Sequence, residues 1–293
     1  MKLSLNLTDY SWPGGPEALA GHVTALATRV DEAGVDVLWV ADHLLQADPN
    51  ASIDEPVLEA YSTLAFVAAA TRSVELGTMV TWATIRPPAL LVKTVTTLDV
   101  LSGGRAWLGI GAGYRGDEAA MTGLPFPPTA ERFSRLEELL RLAAHQWDGD
   151  RTPFDGPHHH LARPINEPPP ISRPRVLVGG MGERRTLPLV ARHADACNLF
   201  DVPDGGATLR RKLDVLARAC DAVGRDPGDV EVTLSTRLAD GETAAGLAER
   251  AAGLAELGVD HIVLVTTGPW LPGGDLDVVL DAVAPVHAVG IAS

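Results

Sequence analysis

The feature that most constrains this chain is a strand-like apolar run, followed by a helix-like segment, that recurs eight times. The runs cover residues 3–7, 37–41, 74–80, 106–110, 176–179, 196–200, 230–234 and 261–265. Several are continuously apolar rather than alternating, the pattern of strands buried on both faces of a parallel sheet. The intervening segments repeat apolar residues at helical spacing. Leu19, Val23, Leu26 and Val30 share one face of a helix opened by Pro16 and stopped at Gly34. Phe133, Leu136, Leu140, Ala143 and Trp147 share another. A third helix runs from about Glu242 to Leu257 and stops at Gly258, and the last carries Leu276, Val279, Leu280 and Val283. Eight such units predict an α/β fold, a (β/α)8 TIM barrel, spanning residues 1–293 as a single domain. A hydrophobic content of 46% is enough to fill its core. The one irregular stretch, residues 148–174, is rich in proline and holds His158, His159 and His160. It reads as a rim loop insertion rather than a linker.

Charge narrows the partners. The 38 acidic side chains outnumber 24 basic ones, for a net charge of −14. No broad basic surface exists to neutralise phosphates, which excludes nucleic acid and an anionic membrane as main partners. Cys197 and Cys220 lie in no C-x-x-C and next to no histidine at metal spacing, so they read as buried free thiols of a reducing cytoplasm. The start, MKLSLNLTDY, is not a charged-then-apolar leader, and no run of 18 apolar residues occurs. A cytoplasmic location follows as the expectation.

Gly111-Ala112-Gly113-Tyr114-Arg115-Gly116 spells G-x-G-x-x-G after a strand, the fingerprint of a Rossmann turn. The context opposes that reading. Only residues 117–122 have room to be helical before Gly123-Leu124-Pro125-Phe126-Pro127-Pro128 breaks the chain, and the next long element is a helix, not a strand. Small residues at a strand's carboxyl end instead let a flat ligand lie against backbone, and in a barrel that end is where sites form.

Five stretches carry a family resemblance. They are Val40-Ala41-Asp42-His43, Leu76-Gly77-Thr78-Met79-Val80, Leu98 to Arg105 (LDVLSGGR), Leu108-Gly109-Ile110-Gly111-Ala112-Gly113, and residues 176–198. In this order and spacing the chain resembles the luciferase-like monooxygenase superfamily, most closely its coenzyme F420-dependent oxidoreductase branch. The resemblance implies a deazaflavin ring in the barrel mouth. It implies a bulge in strand three with a non-proline cis peptide behind the ring, which maps onto Met79–Val80 next to Thr78. The acidic residue and histidine after strand two map onto Asp42 and His43. The strand-four exit contacts map onto Ala112 and Gly113, and the glycine pair after strand five onto Gly179 and Gly180. The branch's sugar-phosphate dehydrogenases carry a Trp a few residues past the histidine and a Glu after the strand-four glycine. Here those regions read Leu44-Leu45-Gln46-Ala47 and Tyr114, which counts against a sugar phosphate substrate.

Each candidate residue has a functional and a plainer reading. His43, titrating near neutral pH, is the candidate catalytic residue for the proton that accompanies hydride transfer, or it shapes the pocket wall. Asp42 accepts a hydrogen bond from the ring or fixes the His43 tautomer, or it caps the next turn. Gly179, Gly180, Met181 and Arg184 precede a helix start whose free N–H groups favour an anion, with Arg184 or Arg185 pairing a phosphate, or the glycines serve packing and the arginines face water. His158–His160 lack flanking ligands and are read as non-metal, so no metal site is expected. Trp12, Trp82 and Trp270 stack on a ligand or fill the mouth. The leading functional reading is hydride transfer between coenzyme F420 and a small organic substrate. The alternatives are a flavin mononucleotide (FMN) monooxygenase that activates oxygen and a non-catalytic binding barrel. The apolar helix around residues 64–70 points to a homodimer.

Overall fold

The chain folds as the strand–helix alternation requires. In this computed structural model, which describes residues 1–290, β1 (Lys2–Leu7) leads through α1 (Pro16–Glu32) to β2 (Val37–Val40). Helix α2 (Ala60–Ala70) precedes a third strand in two pieces, β3 (Glu75–Thr78) and β4 (Thr81–Trp82). Then come α3 (Pro88–Ser102), β5 (Ala106–Gly111), a short α4 (Gly116–Thr122) and the long α5 (Thr129–Trp147). After a hairpin of β6 (Phe154–Asp155) and β7 (His160–Leu161), the alternation resumes with β8 (Arg175–Gly179), α6 (Thr186–His193) and β9 (Ala196–Phe200). It ends with α7 (Ala207–Asp221), β10 (Glu231–Thr236), α8 (Ala244–Glu256), β11 (His261–Val265) and α9 (Asp275–His287). Gly34, read as the stop of α1, adopts φ +78°, a conformation that only glycine takes without cost.

All barrel pairings are parallel, and β1 beside β11 and β3 beside β5 join the ends of the sheet. Eight strand positions thus make a closed (β/α)8 barrel. The register shows where it is irregular. Gly77 pairs with Trp107 and Thr81 with Ile110. Residues 78–80 of the third strand therefore face only Leu108 and Gly109 of the next, so this strand carries one extra residue, a bulge. The Met79–Val80 peptide bond within it is cis. The bulge drives the Thr78 carbonyl into its neighbour: a Cβ on Gly109 would lie 1.7 Å from Thr78 O. Glycine is the residue that this contact admits.

The strand alternation sorts the interior. Leu3, Leu5 and Leu7 face the helices in the main core, while Ser4 and Asn6 face the barrel axis. The lower interior is a closed polar layer. His261 bonds Ser4 Oγ through Nε2 and Glu231 through Nδ1 (2.8 Å), and Lys2 and Arg175 reach the same carboxylate at 2.9 and 2.8 Å. Ser4, His261 and Glu231 have the order of a hydrolytic triad, but Ser4 and His261 are fully buried and the cluster is structural. Above it Trp39 and Trp107 meet edge to face, with centroids 5.4 Å apart, among Val37, Leu177, Ala196 and Val263. Gly77 makes room for the Trp39 ring, which would lie 2.6 Å from a Cβ there. These rings plug the barrel below its carboxyl end.

The 148–174 stretch is more ordered than its composition suggests. Glu138 on α5 accepts the His158 and His159 backbone N–H groups at 2.9 and 2.6 Å. Asp99 on α3 likewise accepts Ile171 N–H, Ser172 N–H and the Ser172 hydroxyl. Asn166 and Trp147 both donate to Thr96. The segment therefore packs against α3 and α5, and a cis bond at Glu167–Pro168 lies within it.

Gly109→Ala should lower stability by roughly 3 kcal/mol or more or prevent folding, since backbone must shift to admit the methyl group. Gly253→Ala, in exposed helix with nothing within 4 Å of the added carbon, should stabilise by about 0.5–1 kcal/mol; urea denaturation of both variants checks the contrast. Burial pushes the Glu231 carboxyl up, but the hydrogen bonds and charges of His261 and Lys2 hold it well below the usual carboxylate range. A carboxylate depressed in the folded state contributes stability that is present above its unfolded value of 4.5 and is lost as pH falls towards its folded value. Glu231→Gln should therefore be less stable than the parent at neutral pH, with the gap narrowing on acidification below about pH 4.5.

Candidate active site

At the carboxyl ends of the strands lies a cavity of about 1000 Å³, the place where barrels build sites. Asn6, Asn198 and Ser235 stand on one side, His43, Trp82 and Tyr114 on the other, and Met79, Val80, Gly111, Ala112, Gly113, Gly179 and Gly180 supply the wall between. The glycines explain why that wall is flat. A Cβ on Gly111 or Gly179 would lie 3.0 Å from Val80, so the Val80 side chain sits between two strands that offer no side chains. Gly113 has φ +75° and would press a Cβ to 3.1 Å from the Trp82 ring, and Gly116 is held 2.9 Å from Phe126 by the same measure. The G-x-G-x-x-G glycines thus admit Val80, Trp82 and Phe126. The helix after them, α4, is seven residues long and leads to α5 rather than to a strand.

Asp42 and His43 leave β2 in opposite directions. The Asp42 carboxylate is buried and closes on Arg86 through two bonds of 2.5 and 2.9 Å, and Thr81 Oγ1 donates to it at 2.7 Å. Tyr61 hydroxyl lies 2.9 Å from Thr81 Oγ1, and Thr78 Oγ1 donates to Gly109 O at 2.8 Å. This network ties the end of β2 to both sides of the bulge. Arg86 also reaches Glu59 at 2.6 Å; burial pulls its proton affinity down, and the paired Asp42 raises it further, so that the net shift is upward. His43 turns the other way, into the cavity wall. Its Nδ1 lies 2.6 Å from Glu118 Oε2, and its ring meets Trp82 and Tyr114 edge-on at 5.6 and 5.9 Å. Glu118 Oε1 accepts Leu44 N–H at 2.7 Å and Leu45 N–H at 3.3 Å. Burial pushes the Glu118 carboxyl up, but the His43 contact and the two backbone donors leave it below the usual range.

Of the residues singled out in the sequence, His43, Met79, Val80, Ala112, Gly113, Gly179 and Gly180 line the cavity. Asp42 and Thr78 stand behind it in the Arg86–Thr81 network. Met181 accepts Phe200 N–H on its sulfur at 3.3 Å, and Arg184 is exposed ahead of α6; neither is part of the lining. Thr186 at the start of α6 is. Trp82 lines the cavity, whereas Trp12 and Trp270 seal the seam between first and last strands, with Trp12 Nε1 on Trp270 O and Trp270 Nε1 on Asn6 O. His158 bonds Ser134, His159 bonds Glu138 and His160 pairs with Asp155, all away from the mouth.

Sequence reasoning missed Glu118, Arg86, Asn6, Asn198 and Ser235. Glu118 lies 75 positions from His43, and no spacing rule links them. Asn198 donates to Thr233 Oγ1 and Ser235 Oγ at 2.9 and 3.0 Å. Asn6 Oδ1, in the cavity wall, is buried and has no hydrogen-bond partner among the described residues. Period-two reading of β1 from Leu3 places Asn6 on the inner face, the one signal the chain offered.

The luciferase-like monooxygenase family profile matches residues 1–267. This chain belongs to that family. Two relatives of this luciferase-like protein are named for the deazaflavin. An F420-dependent glucose-6-phosphate dehydrogenase of Kineococcus radiotolerans is 33% identical over 229 residues, covering 74% of this chain and 64% of the relative. An F420-dependent hydroxymycolic acid dehydrogenase of Mycobacterium tuberculosis is 30% identical, covering 70% of this chain and 55% of the relative. The alignments thus span about half to two thirds of these relatives' lengths. Among solved structures, an F420-dependent secondary alcohol dehydrogenase superposes with a TM-score of 0.80 at 18% identity, covering 98% of this chain and 99% of that one. EDTA monooxygenase from Chelativorans reaches 0.82 at 15% identity over 100% of this chain and 95% of its own. At these identities the superpositions show a shared fold. Among the described residues no helix is long and apolar enough to cross a membrane.

Arg86→Met should cost roughly 3–5 kcal/mol, because it leaves the buried Asp42 carboxylate without its counter-charge. Equilibrium urea denaturation measures this, and unchanged stability would show the pair to be dispensable.

Proposed function

We propose that this protein is a coenzyme F420-dependent oxidoreductase that exchanges a hydride between the deazaflavin and a small, uncharged organic substrate. The observation that carries the reading is the juxtaposition of a glycine-rich cavity wall with a histidine held from behind by a buried carboxylate. The names of the relatives support the cofactor. The cavity fits such a group: Gly111, Gly113, Gly179 and Gly180 offer backbone without side chains to a flat ring, and Asn6 Oδ1, unpartnered among the described residues, suits a heterocycle with an N–H edge. Met79 and Val80 back the ring, with Asp42 and Thr78 fixing the bulge that carries them. Gly180, Met181, Thr186 and Arg184, at the start of α6, are the residues to hold a phosphate. When bound, F420 supplies a ring carbon that gives or accepts hydride and leaves oxygen unactivated.

His43 carries the accompanying proton, giving it to the substrate oxygen in the reducing direction and taking it back in the other. Trp82, Tyr114 and Leu45 stand beside it in the cavity wall. The charges argue for a neutral substrate. Apart from His43, the charged side chains in the lining are Asp48, Asp201 and Arg237. Arg237 is committed to Asp48 (2.7 Å) and Thr267, and Asp201 accepts Thr236 Oγ1 at 2.8 Å. Among the described residues no arginine or lysine of the lining is left without an acidic partner to bind a substrate phosphate.

We also infer that the working form is a homodimer. Helix α2 buries Leu64, Val67 and Ala68 against the barrel yet leaves Phe66 exposed, and Leu90 and Leu101 on the adjacent α3 are exposed as well. Pairing these faces between two copies removes them from water.

Titration of the pure protein should give at least tenfold tighter binding of F420 than of FMN; the opposite order would favour the FMN monooxygenase reading. With a turnover substrate in hand, His43→Ala should lower turnover by about 10²–10⁴ while F420 affinity stays within a few-fold. Near-parent turnover in that variant would reduce His43 to a wall residue.

A further inference from the structure

We propose that Glu118 is the positioning residue that selects the working nitrogen of His43, a residue of the cavity lining: its carboxylate holds the Nδ1–H, so that Nε2, the ring's other nitrogen, is the one that gains and loses the proton. The inference rests on the reading of His43 as the proton carrier and assigns a residue 75 positions away to the same task.

Three features of the contact support it. First, Glu118 is almost completely buried at 1% exposure, and its depressed carboxyl is ionised at neutral pH. An ionised carboxylate only accepts hydrogen bonds. At 2.6 Å from Glu118 Oε2, Nδ1 must therefore be the donor. Second, the carboxylate is itself fixed. Its other oxygen takes the backbone N–H groups of Leu44 and Leu45, the two residues after His43. One side chain thereby aims the ring and clamps the loop that bears it. Third, Glu118 lies in the first turn of α4, where the helix dipole favours negative charge. The edge-on rings of Trp82 and Tyr114 flank the imidazole.

The arrangement makes the proton step self-resetting. In the reducing direction the carbonyl carbon of the substrate accepts a hydride, which bound, reduced F420 would supply. The carbonyl π pair becomes the new O–H bond as oxygen takes the Nε2 proton, and the Nε2–H pair stays on nitrogen. The neutral imidazole left behind still bears its proton on Nδ1, bonded to Glu118, and Nε2 is ready to be reprotonated from water.

Glu118→Gln separates aiming from tautomer selection. The Gln carbonyl can keep the Leu44 and Leu45 bonds, while its NH2 donates to Nδ1 and forces the neutral proton onto Nε2. The test is nitrogen-15 NMR of the ring nitrogens at a pH where His43 is neutral, on full-length protein without cofactor, with His43→Ala identifying the resonances. In the parent, Nδ1 should be protonated and Nε2 bare; in Glu118→Gln the two should exchange. Turnover of Glu118→Gln should fall at least tenfold, with F420 affinity within a few-fold. A parent protein with its proton on Nε2 overturns the proposal, whether or not any Glu118 variant folds. An unchanged tautomer in a folded Glu118→Gln overturns it as well. Should His43→Ala retain parent turnover, the proton-carrier reading fails while the tautomer result stands by itself, so the two failures are distinguishable.

Discussion

The contact on which the site depends is the one between the Thr78 carbonyl and the backbone of Gly109. One extra residue in the third strand has to go somewhere in a closed barrel, and it goes inward, toward a neighbour without a side chain. That inward step places Met79 and Val80 in the cavity wall. It also sets Thr78 and Thr81 on the two sides of the bulge, where their hydroxyls meet at 3.0 Å. The flatness of the wall follows, because Gly111 and Gly179 must stay bare to seat Val80. A substitution at Gly109 therefore acts on the site through three strands without touching a ligand.

Two buried carboxylates divide the work around the loop after β2. Asp42 serves structure: Arg86 and Thr81 occupy its oxygens, and an ion pair this buried is tolerated because the two charges are paired and hydrogen-bonded. Glu118 faces the next residue, His43, and holds its Nδ1 at 2.6 Å. Adjacent positions in an extended chain point opposite ways, so the Asp42-His43 pair puts a structural anchor and a cavity-lining histidine back to back. The same economy appears lower in the barrel, where Glu231 gathers His261, Lys2 and Arg175 into a closed layer beneath the tryptophan plug.

Much of this was legible in the sequence. Apolar runs at barrel spacing gave the eight strands to within two residues at most ends, because strands buried on both faces leave little freedom in composition. In the third strand residues 74–80 read as one apolar run and are two pieces; the bulge at Met79–Val80 was legible through the family resemblance and not through the apolar pattern, since a bulge changes register without changing hydrophobicity. The short strands β6 and β7 were also missed. Their residues follow no apolar period, and the Glu138, Asp99 and Thr96 anchors that order the segment lie in other helices.

The sequence by itself determined the fold, the end of the barrel that bears the site, and the run from Asp42 to His43 beside a glycine-rich wall. Those are local properties: periodicity, turn chemistry and the residue types at strand ends. Only the tertiary structure decided what each of these residues does. It gave Asp42 to Arg86 and His43 to Glu118, turned the G-x-G-x-x-G glycines toward Val80, Trp82 and Phe126, and took the three histidines away from the mouth. The reason is physical: a side chain's protonation, tautomer and access are set by the few atoms within about 3 Å of its polar ends, and in a closed barrel those atoms come from strands and helices far apart in the chain.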